Sequence, residues 1–438
     1  GQDWYQSHMA ESFRVLDPAK TMMILGAYGY DWTLATGTSK ARADVVTFHE
    51  ASVLAQDAGA DVRMDHASLN PGFAYEDDQK QQHSVWFLDA PTLFNQIKVA
   101  DAWHPRAYGV WRLGSEDPSI WPLLGKPYGT ASSAGLTQMG PGEGVDFDGT
   151  GEVLHVASTP SAGKRSFTVD PSHGLIVDQH YEVMPSSYEI KRYGAHPGLV
   201  ALTFDDGPDP RWTPDILDIL KAKKAPATFF IVGENMQTWP GLVQRELDEG
   251  HMVGSHTYTH PNIGEISSVQ TVLELNVTQR LFETLTGRSM RLFRPPYFGD
   301  AEPSTPREVA PILAAQKQGY LTVGLRIDPD DWQKPDAKLI VDRTLARLAD
   351  ENPETGGQVV LLHDSGGNRE HTVEALPKLI DALRAHGYRL VTVSELAGIS
   401  PRLALPPTSR GDLDITLDRL GFGFFRIVNA FLRVLFIT

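Results

Sequence analysis

Cysteine is absent from the 438 residues. That excludes disulfides and thiolate metal sites, so any metal must be held by His, Asp or Glu. A basic surplus is missing too: 39 Lys and Arg stand against 55 Asp and Glu, for a net charge of −16. Nucleic-acid binding needs a basic face, so the composition argues against it and fits a neutral substrate. The first residues, GQDWYQSHMA, lack the basic start and apolar run of a signal peptide, and there is no initiator Met. No internal repeat or low-complexity tract stands out. Long apolar runs are scarce until residues 420–438, LGFGFFRIVNAFLRVLFIT, and the chain stops inside that run. Both ends read as cut, and the expectation is a piece of a longer protein.

What is present is ordinary core material, 41% hydrophobic with 21% charged residues, in a length that points to two or three domains. Residues 1–125 mix strand and helix patterns. TMMILGAYGYDW (21–32) reads as a buried strand running into an aromatic loop. PTLFNQIKVADAWHP (91–105) puts Leu93, Ile97 and Ala100 on one helical face, and RAYGVWRLGSED (106–117) is a further strand. Residues 126–197 are rich in Gly, Ser and Pro with short alternating runs, GEVLHVAS and KRSFTVD, and read as a β-rich connector. Residues 198–400 alternate strand and helix strictly, with about seven βα repeats, close to a barrel. Residues 401–419 read as a linker and 420–438 as an apolar segment.

In βα-built folds, catalytic groups collect at the carboxyl ends of strands. Here those ends carry Asp205-Asp206, His256 with His260, Arg294-Pro-Pro-Tyr297, Asp328 to Trp332, and His363-Asp364. Two adjacent acids repel each other, so something must reward the pairing. His256 and His260, four apart in SHTYTHP, are a weak signal alone and could be two loop histidines. Two imidazoles with one carboxylate make a facial metal site open to water and substrate. Zinc is the first candidate, with iron, cobalt or nickel as alternatives. One acid then binds the metal while the other stays free as a base, and the cation offsets their repulsion. The Gly207-Pro208 break is expected to bring both side chains into one pocket, although strand alternation would point them apart.

Arg294 can hold the base carboxylate through two parallel hydrogen bonds, or serve as a plain structural ion pair. The backbone N–H of Tyr297 is placed to face an oxyanion. A lone His at a strand end is more often packing. Amide hydrolysis, however, needs an acid for the leaving amine, and His363 suits that task, with Asp331 holding it protonated. Trp332 reads as core or as a wall for a sugar ring.

TFDDGPDP, HTYTHP, RPPY, DPDDW and LLHD, in this order, resemble the five motifs of NodB-type polysaccharide deacetylases, carbohydrate esterase family 4. The likeness spans roughly residues 190–400 and is specific. It implies a distorted (β/α)7 barrel, with Asp205 as base and Asp206, His256 and His260 holding a divalent metal, usually Zn2+. It further implies that Arg294 orients Asp205, that Tyr297 lends its backbone amide, and that His363, tuned by Asp331, is the acid. Leu361 would line the pocket for the acetyl methyl. The implied reaction is hydrolytic N-deacetylation of N-acetylglucosamine residues in a glycan. O-deacetylation of a glycan such as xylan, or a catalytically silent carbohydrate-binding module, are the alternatives.

A second likeness concerns residues 1–125. ILGAYGYDW, SVWFLDAPTLFNQ and GVWRLGSEDPSIW resemble the last third of a glycoside hydrolase family 18 barrel, with Trp111 as an aromatic sugar floor. That family's Asp-x-x-Asp-x-Asp-x-Glu motif is not in this chain, so the segment is expected to be inactive and only a partial (β/α)8-type barrel. The order of parts resembles bacterial fusions that end in a membrane glycosyltransferase. That implies a cell-envelope location, with 420–438 leading into a membrane region. Arg426 and Arg433 count against a centred span, so an interfacial helix is an equal reading to a span, with a buried globular helix as the plain alternative.

Overall fold

An unbroken apolar run makes a strand that can be buried on both faces, and Leu199–Asp205 is such a strand. It pairs in parallel with Thr228–Ile231 on one side and Val359–His363 on the other, while Arg389–Val391 pairs with its first half. From Thr228–Ile231 the parallel ladder runs through Met252–Ser255 and Leu292–Phe293 to Leu321–Val323. A bridge from Ile327 to Val360, with Leu361 N–H donating to the Ile327 carbonyl at 2.8 Å, curls the sheet back towards its first strands. These coordinates are a computed structural model, which describes residues 1–35, 40–142, 144–297, 302–350, 352 and 356–436.

Helices cover the parallel strands, and their ends follow local chemistry. Ser267 and Gln270 form a reciprocal capping box at the start of Ser268–Thr286, as do Thr305 and Glu308 at Pro306–Lys317. The stretch after Val232 holds two helices, Gly233–Thr238 and Pro240–Asp248, because Pro240 has no N–H to continue the first. Phe204, Phe229, Phe230, Phe293 and Leu362 pack in the core between sheet and helices.

The chain divides into two compact units. The second comprises Val145–Ala157 and Glu189–Thr438 and holds the parallel sheet. Its edge strand Leu321–Val323 pairs antiparallel with Val153–Ser158, and the sheet continues through Tyr188–Tyr193 to Val145–Gly149. Strands Gly163–Val169 and Ile176–Val183, from the same stretch 126–197, belong to the other sheet.

The first unit, Gly1–Gly144 and Ser158–Tyr188, corrects the barrel expectation for residues 1–125. The strand and helix readings hold locally: Met22–Gly26, Gly29–Thr33, Ala90–Ala100 and Ala107–Trp111 all form. Yet most pairing is antiparallel, in the order Arg42–Val46, Gly29–Thr33, Gln82–Phe87, Pro71–Glu76, Arg63–Met64, Ile176–Val183, Gly163–Val169, Gln138–Met139. Among the described residues, parallel pairing in this unit is confined to Met22–Gly26 with Ala107–Trp111. Short connections such as 77–81 return the chain directly beside itself, whereas parallel neighbours need a crossover of a dozen residues or more.

Residues 401–419 contain the helix Pro401–Ala404 and the first turns of Asp412–Phe436. The Arg426 and Arg433 side chains and residues 437–438 lie outside the described residues. Among the described residues, no helix is long and apolar enough to cross a membrane.

Candidate active site

The site forms where the parallel strands end. Asp205 closes Leu199–Asp205, and the chain leaves the strand at the next residue: Asp206 has φ 75°. The reversal expected of Gly207-Pro208 thus begins one residue earlier, and strand alternation no longer governs Asp206. Both carboxylates line one cavity of about 550 Å³. His256, His260, Arg294, Tyr297, Trp332, Leu361 and His363 line it as well. Asp331 is not on its wall but sits directly behind His363.

Arg294 follows the strand Leu292–Phe293 and is 1% exposed. Its Nη1 donates to Asp205 Oδ1 at 2.8 Å and to Thr203 Oγ1 at 2.7 Å. The expected two-pronged grip on Asp205 does not form, because Nη2 and Nε donate to the Gly324 and Val323 carbonyls at 3.1 and 3.4 Å. The guanidinium also lies 4.3 Å from the Phe230 ring centre, a cation–π contact that keeps water off the pair. One strong bond therefore fixes Asp205, and the other carboxylate oxygen faces the cavity side, 3.9 Å from His256 Nε2.

Asp206 Oδ1 lies 3.0 Å from His260 Nε2 and 3.5 Å from His256 Nε2. Ligand atoms of the three residues fall within 4.8 Å of one another. His256 Nδ1 is 2.8 Å from the Arg294 carbonyl oxygen, so that nitrogen donates and Nε2 is left free to coordinate. Burial works against the charge of Asp206, but His260, His256 and His363 hold its carboxyl well below the usual carboxylate range. Burial pushes the His256 imidazole down, against the pull of Asp205 and Asp206. One carboxylate oxygen and two imidazole nitrogens, with no thiolate, are a donor set that fits a divalent ion.

On the strand beside Asp205, His363 Nδ1 lies 2.7 Å from Asp331 Oδ1. Asp331 Oδ2 accepts the His363 backbone N–H at 3.0 Å and the Thr372 hydroxyl at 2.8 Å. Burial opposes a charged imidazole here, but Asp331 overcomes it, and the His363 pKa is raised to about 9. Trp332 is half exposed at the mouth, and Leu361 is buried in the wall.

Four non-glycine residues in this region hold positive φ: Asp206 at 75°, Thr257 at 67°, His260 at 58° and Tyr297 at 57°. Such strain persists only where the surroundings over-determine it, and it collects at functional sites. Four lining residues had no role in the sequence reading: Pro295, Leu325, Asp328 and Gly366. Asp328 lies inside DPDDW, and burial raises its carboxyl pKa. Gly366, at φ 74°, allows close approach to Asp206, since a Cβ there would lie 2.6 Å from Asp206 Oδ2. The adjacent glycines after His363-Asp364 were the available signal.

The polysaccharide deacetylase family profile matches residues 193–316. A peptidoglycan-N-acetylglucosamine deacetylase from Bacillus cereus is 38% identical over 219 residues, 49% of this chain and 95% of that relative. The chain belongs to the polysaccharide deacetylase family. Its C-terminal half is the NodB-type, carbohydrate esterase family 4 hydrolase that the five motifs resemble. This deacetylase is also 32% identical to a chitooligosaccharide deacetylase from Bradyrhizobium sp., across 49% of this chain and 99% of that relative. Among solved structures, the chitin deacetylase of Colletotrichum lindemuthianum is 30% identical, covering 50% of this chain and 96% of that chain, with a TM-score of 0.44. Nothing in these comparisons supports a glycoside hydrolase family 18 segment in the first unit.

Proposed function

We propose that this deacetylase hydrolyses the acetamide of N-acetylglucosamine residues in a cell-envelope or related glycan, peptidoglycan or chitooligosaccharide, and releases acetate. The observation that carries this reading is a single cavity lined by the Asp206–His256–His260 cluster, the Arg294-held Asp205 and the Asp331-held His363, with Asp205 and His363 paired on adjacent strands.

Asp206, His256 and His260 would hold the divalent ion, with Zn2+ the first choice for one carboxylate and two imidazoles. Such an ion, when bound, acidifies water and polarises the acetyl carbonyl. Asp205, held by Arg294, accepts the proton of the attacking water. His363, protonated at neutral pH, donates to the departing amine, and Asp331 holds its ring in line. The Tyr297 backbone N–H, placed by the strained φ of that residue, supports the developing oxyanion. Leu361 and Trp332 shelter the acetyl methyl and the sugar ring. Arg294 is a positioning residue, because it reaches the chemistry only through Asp205.

The parallel strands read as a distorted (β/α)7 barrel, and the motif-bearing domain as 198–400, preceded by the connector 126–197. A glycoside hydrolase family 18 origin for residues 1–125 rests on the quoted stretches alone. A fused glycosyltransferase and a membrane-facing role for 420–438 rest on the order of parts and the apolar sequence. The test is acetate release from peptidoglycan, N-acetylated chitooligosaccharides and acetylated xylan. Release from the first or second, lost with a chelator, restored by zinc and reduced about 10²-fold or more by Asp205→Asn, is expected. Release from xylan alone would sink the N-deacetylase reading, and unchanged activity in Asp205→Asn would sink the assignment of the base.

A further inference from the structure

The loop between the two histidines, Thr257-Tyr258-Thr259, is held from outside the cavity. On one side the N–H groups of Gly233 and Glu234 donate to the Thr257 and Tyr258 carbonyls at 2.9 and 3.0 Å. On the other, one carboxylate accepts the loop's own donors. Glu274 Oε2 takes the Tyr258 N–H at 2.7 Å and the Thr259 N–H at 2.8 Å, and Oε1 takes the Thr259 hydroxyl at 2.8 Å. Glu274 projects from the helix Ser268–Thr286, whose start is locked by the Ser267–Gln270 box. It does not line the cavity and belongs to none of the five motifs.

We infer that Glu274 is a positioning residue of the metal centre: its carboxylate clamps the loop that sets the spacing of His256 and His260, and thereby the affinity for a divalent ion. The need for a clamp is visible in the backbone. Thr257 and His260 both sit at positive φ, at 67° and 58°, a left-handed conformation that side chains other than glycine disfavour. A relaxed loop would leave that region and carry the imidazoles apart. Two backbone N–H groups converge on one carboxylate oxygen and the loop's hydroxyl on the other, so a single side chain can hold the loop. Partners one step removed from a metal typically change affinity 10–100-fold when lost.

The inference rests on the proposed metal site, and the experiment separates the two. The full chain, stripped of metal, is titrated with Zn2+ against a chromophoric chelator, and with Co2+ by its visible absorption. Glu274→Ala should weaken the Kd about 10–100-fold and alter the Co2+ spectrum. Glu274→Gln, which keeps one acceptor oxygen for the N–H pair, should lose less, with the metal-free melting temperature close to that of the parent. At saturating Zn2+ both variants should regain most of kcat, because no reacting group has been removed. Should Glu274→Ala misfold, Thr259→Val, which removes one contact from the same clamp, should still show a smaller weakening. Parent and variants binding Zn2+ with equal Kd would overturn the clamp and leave the metal site standing. A parent chain that binds neither ion would overturn both.

Discussion

His363 keeps its charge further into the alkaline range than an ordinary imidazole. Burial alone would strip the proton, yet Asp331, 2.7 Å from Nδ1 and itself fixed by Thr372, raises the pKa to about 9. The sign follows directly. A folded-state pKa above the unfolded value means that the stabilising proton is fully present below about pH 6.5 and lost as pH rises through about 9. The same proton is the one the leaving amine needs, so activity should fall on that alkaline limb. Asp331→Asn removes the charge and leaves burial in command. The His363 pKa should then drop by about 1–3 units, the range for a carboxylate in contact. NMR titration of His363 in the metal-free chain, beside the pH profile of kcat, measures both. An alkaline limb that stays in place in Asp331→Asn would remove His363 from the role of acid.

At the scale of elements, rigid strands deliver the residues and strained turns aim them. Gly366 shows how little room is left, since it sits at φ 74° and a Cβ would lie 2.6 Å from Asp206 Oδ2. Gly366→Ala should therefore cost roughly 1–2 kcal/mol from the backbone alone and also displace Asp206. Gly398 is the control, at φ 70° with nothing within 4 Å of its would-be Cβ. Gly398→Ala should shift the denaturant midpoint by a similar amount but leave the Zn2+ Kd unchanged, whereas Gly366→Ala should weaken it. Equal Kd values in the two variants would show that the Asp206 turn tolerates movement. These turns also mark the limit of what the sequence made legible. Apolar runs and their spacing located the strands and helices around the site, and Asp205, His256, Arg294 and His363 fell at strand ends, where βα folds place chemistry. The one-pronged bond of Arg294 was not legible, because it depends on carbonyls from Val323 and Gly324 brought in by a different strand. Nor was the antiparallel sheet of the first unit, since an alternating run such as Gln82–Phe87 reveals a strand and not the partner beside it.

At the scale of the molecule, the motif-bearing stretch 198–400 is not the whole of the unit that carries it. Val153–Ser158 closes the edge of Leu321–Val323, pairing Val153 with Val323 and Leu154 with Thr322. Glu152, just before it, is buried, and its carboxylate accepts backbone N–H groups from Arg326 at 2.9 Å, Gln358 at 2.8 Å and Val359 at 3.0 Å. Those donors lie around the place where the parallel ladder narrows to the single bridge between Ile327 and Val360. One side chain from outside the motif span thus serves a gap that the strands themselves do not close. Removing it takes the acceptor from the buried Val359 N–H and from the part-buried Arg326 and Gln358 N–H groups, at about 1–3 kcal/mol for a donor that water cannot reach. A chain of residues 198–400 should therefore be markedly less stable than the full protein, with a melting temperature lowered by several degrees or more. In the full chain, Glu152→Ala should lower the melting temperature while the Zn2+ Kd stays at its parent value, because Arg326, Gln358 and Val359, whose N–H groups its carboxylate accepts, do not line the cavity. If residues 198–400 alone melt at the temperature of the full chain and release acetate at the same rate, then Glu152 and the strand behind it are dispensable, and the deacetylase unit ends where its motifs do.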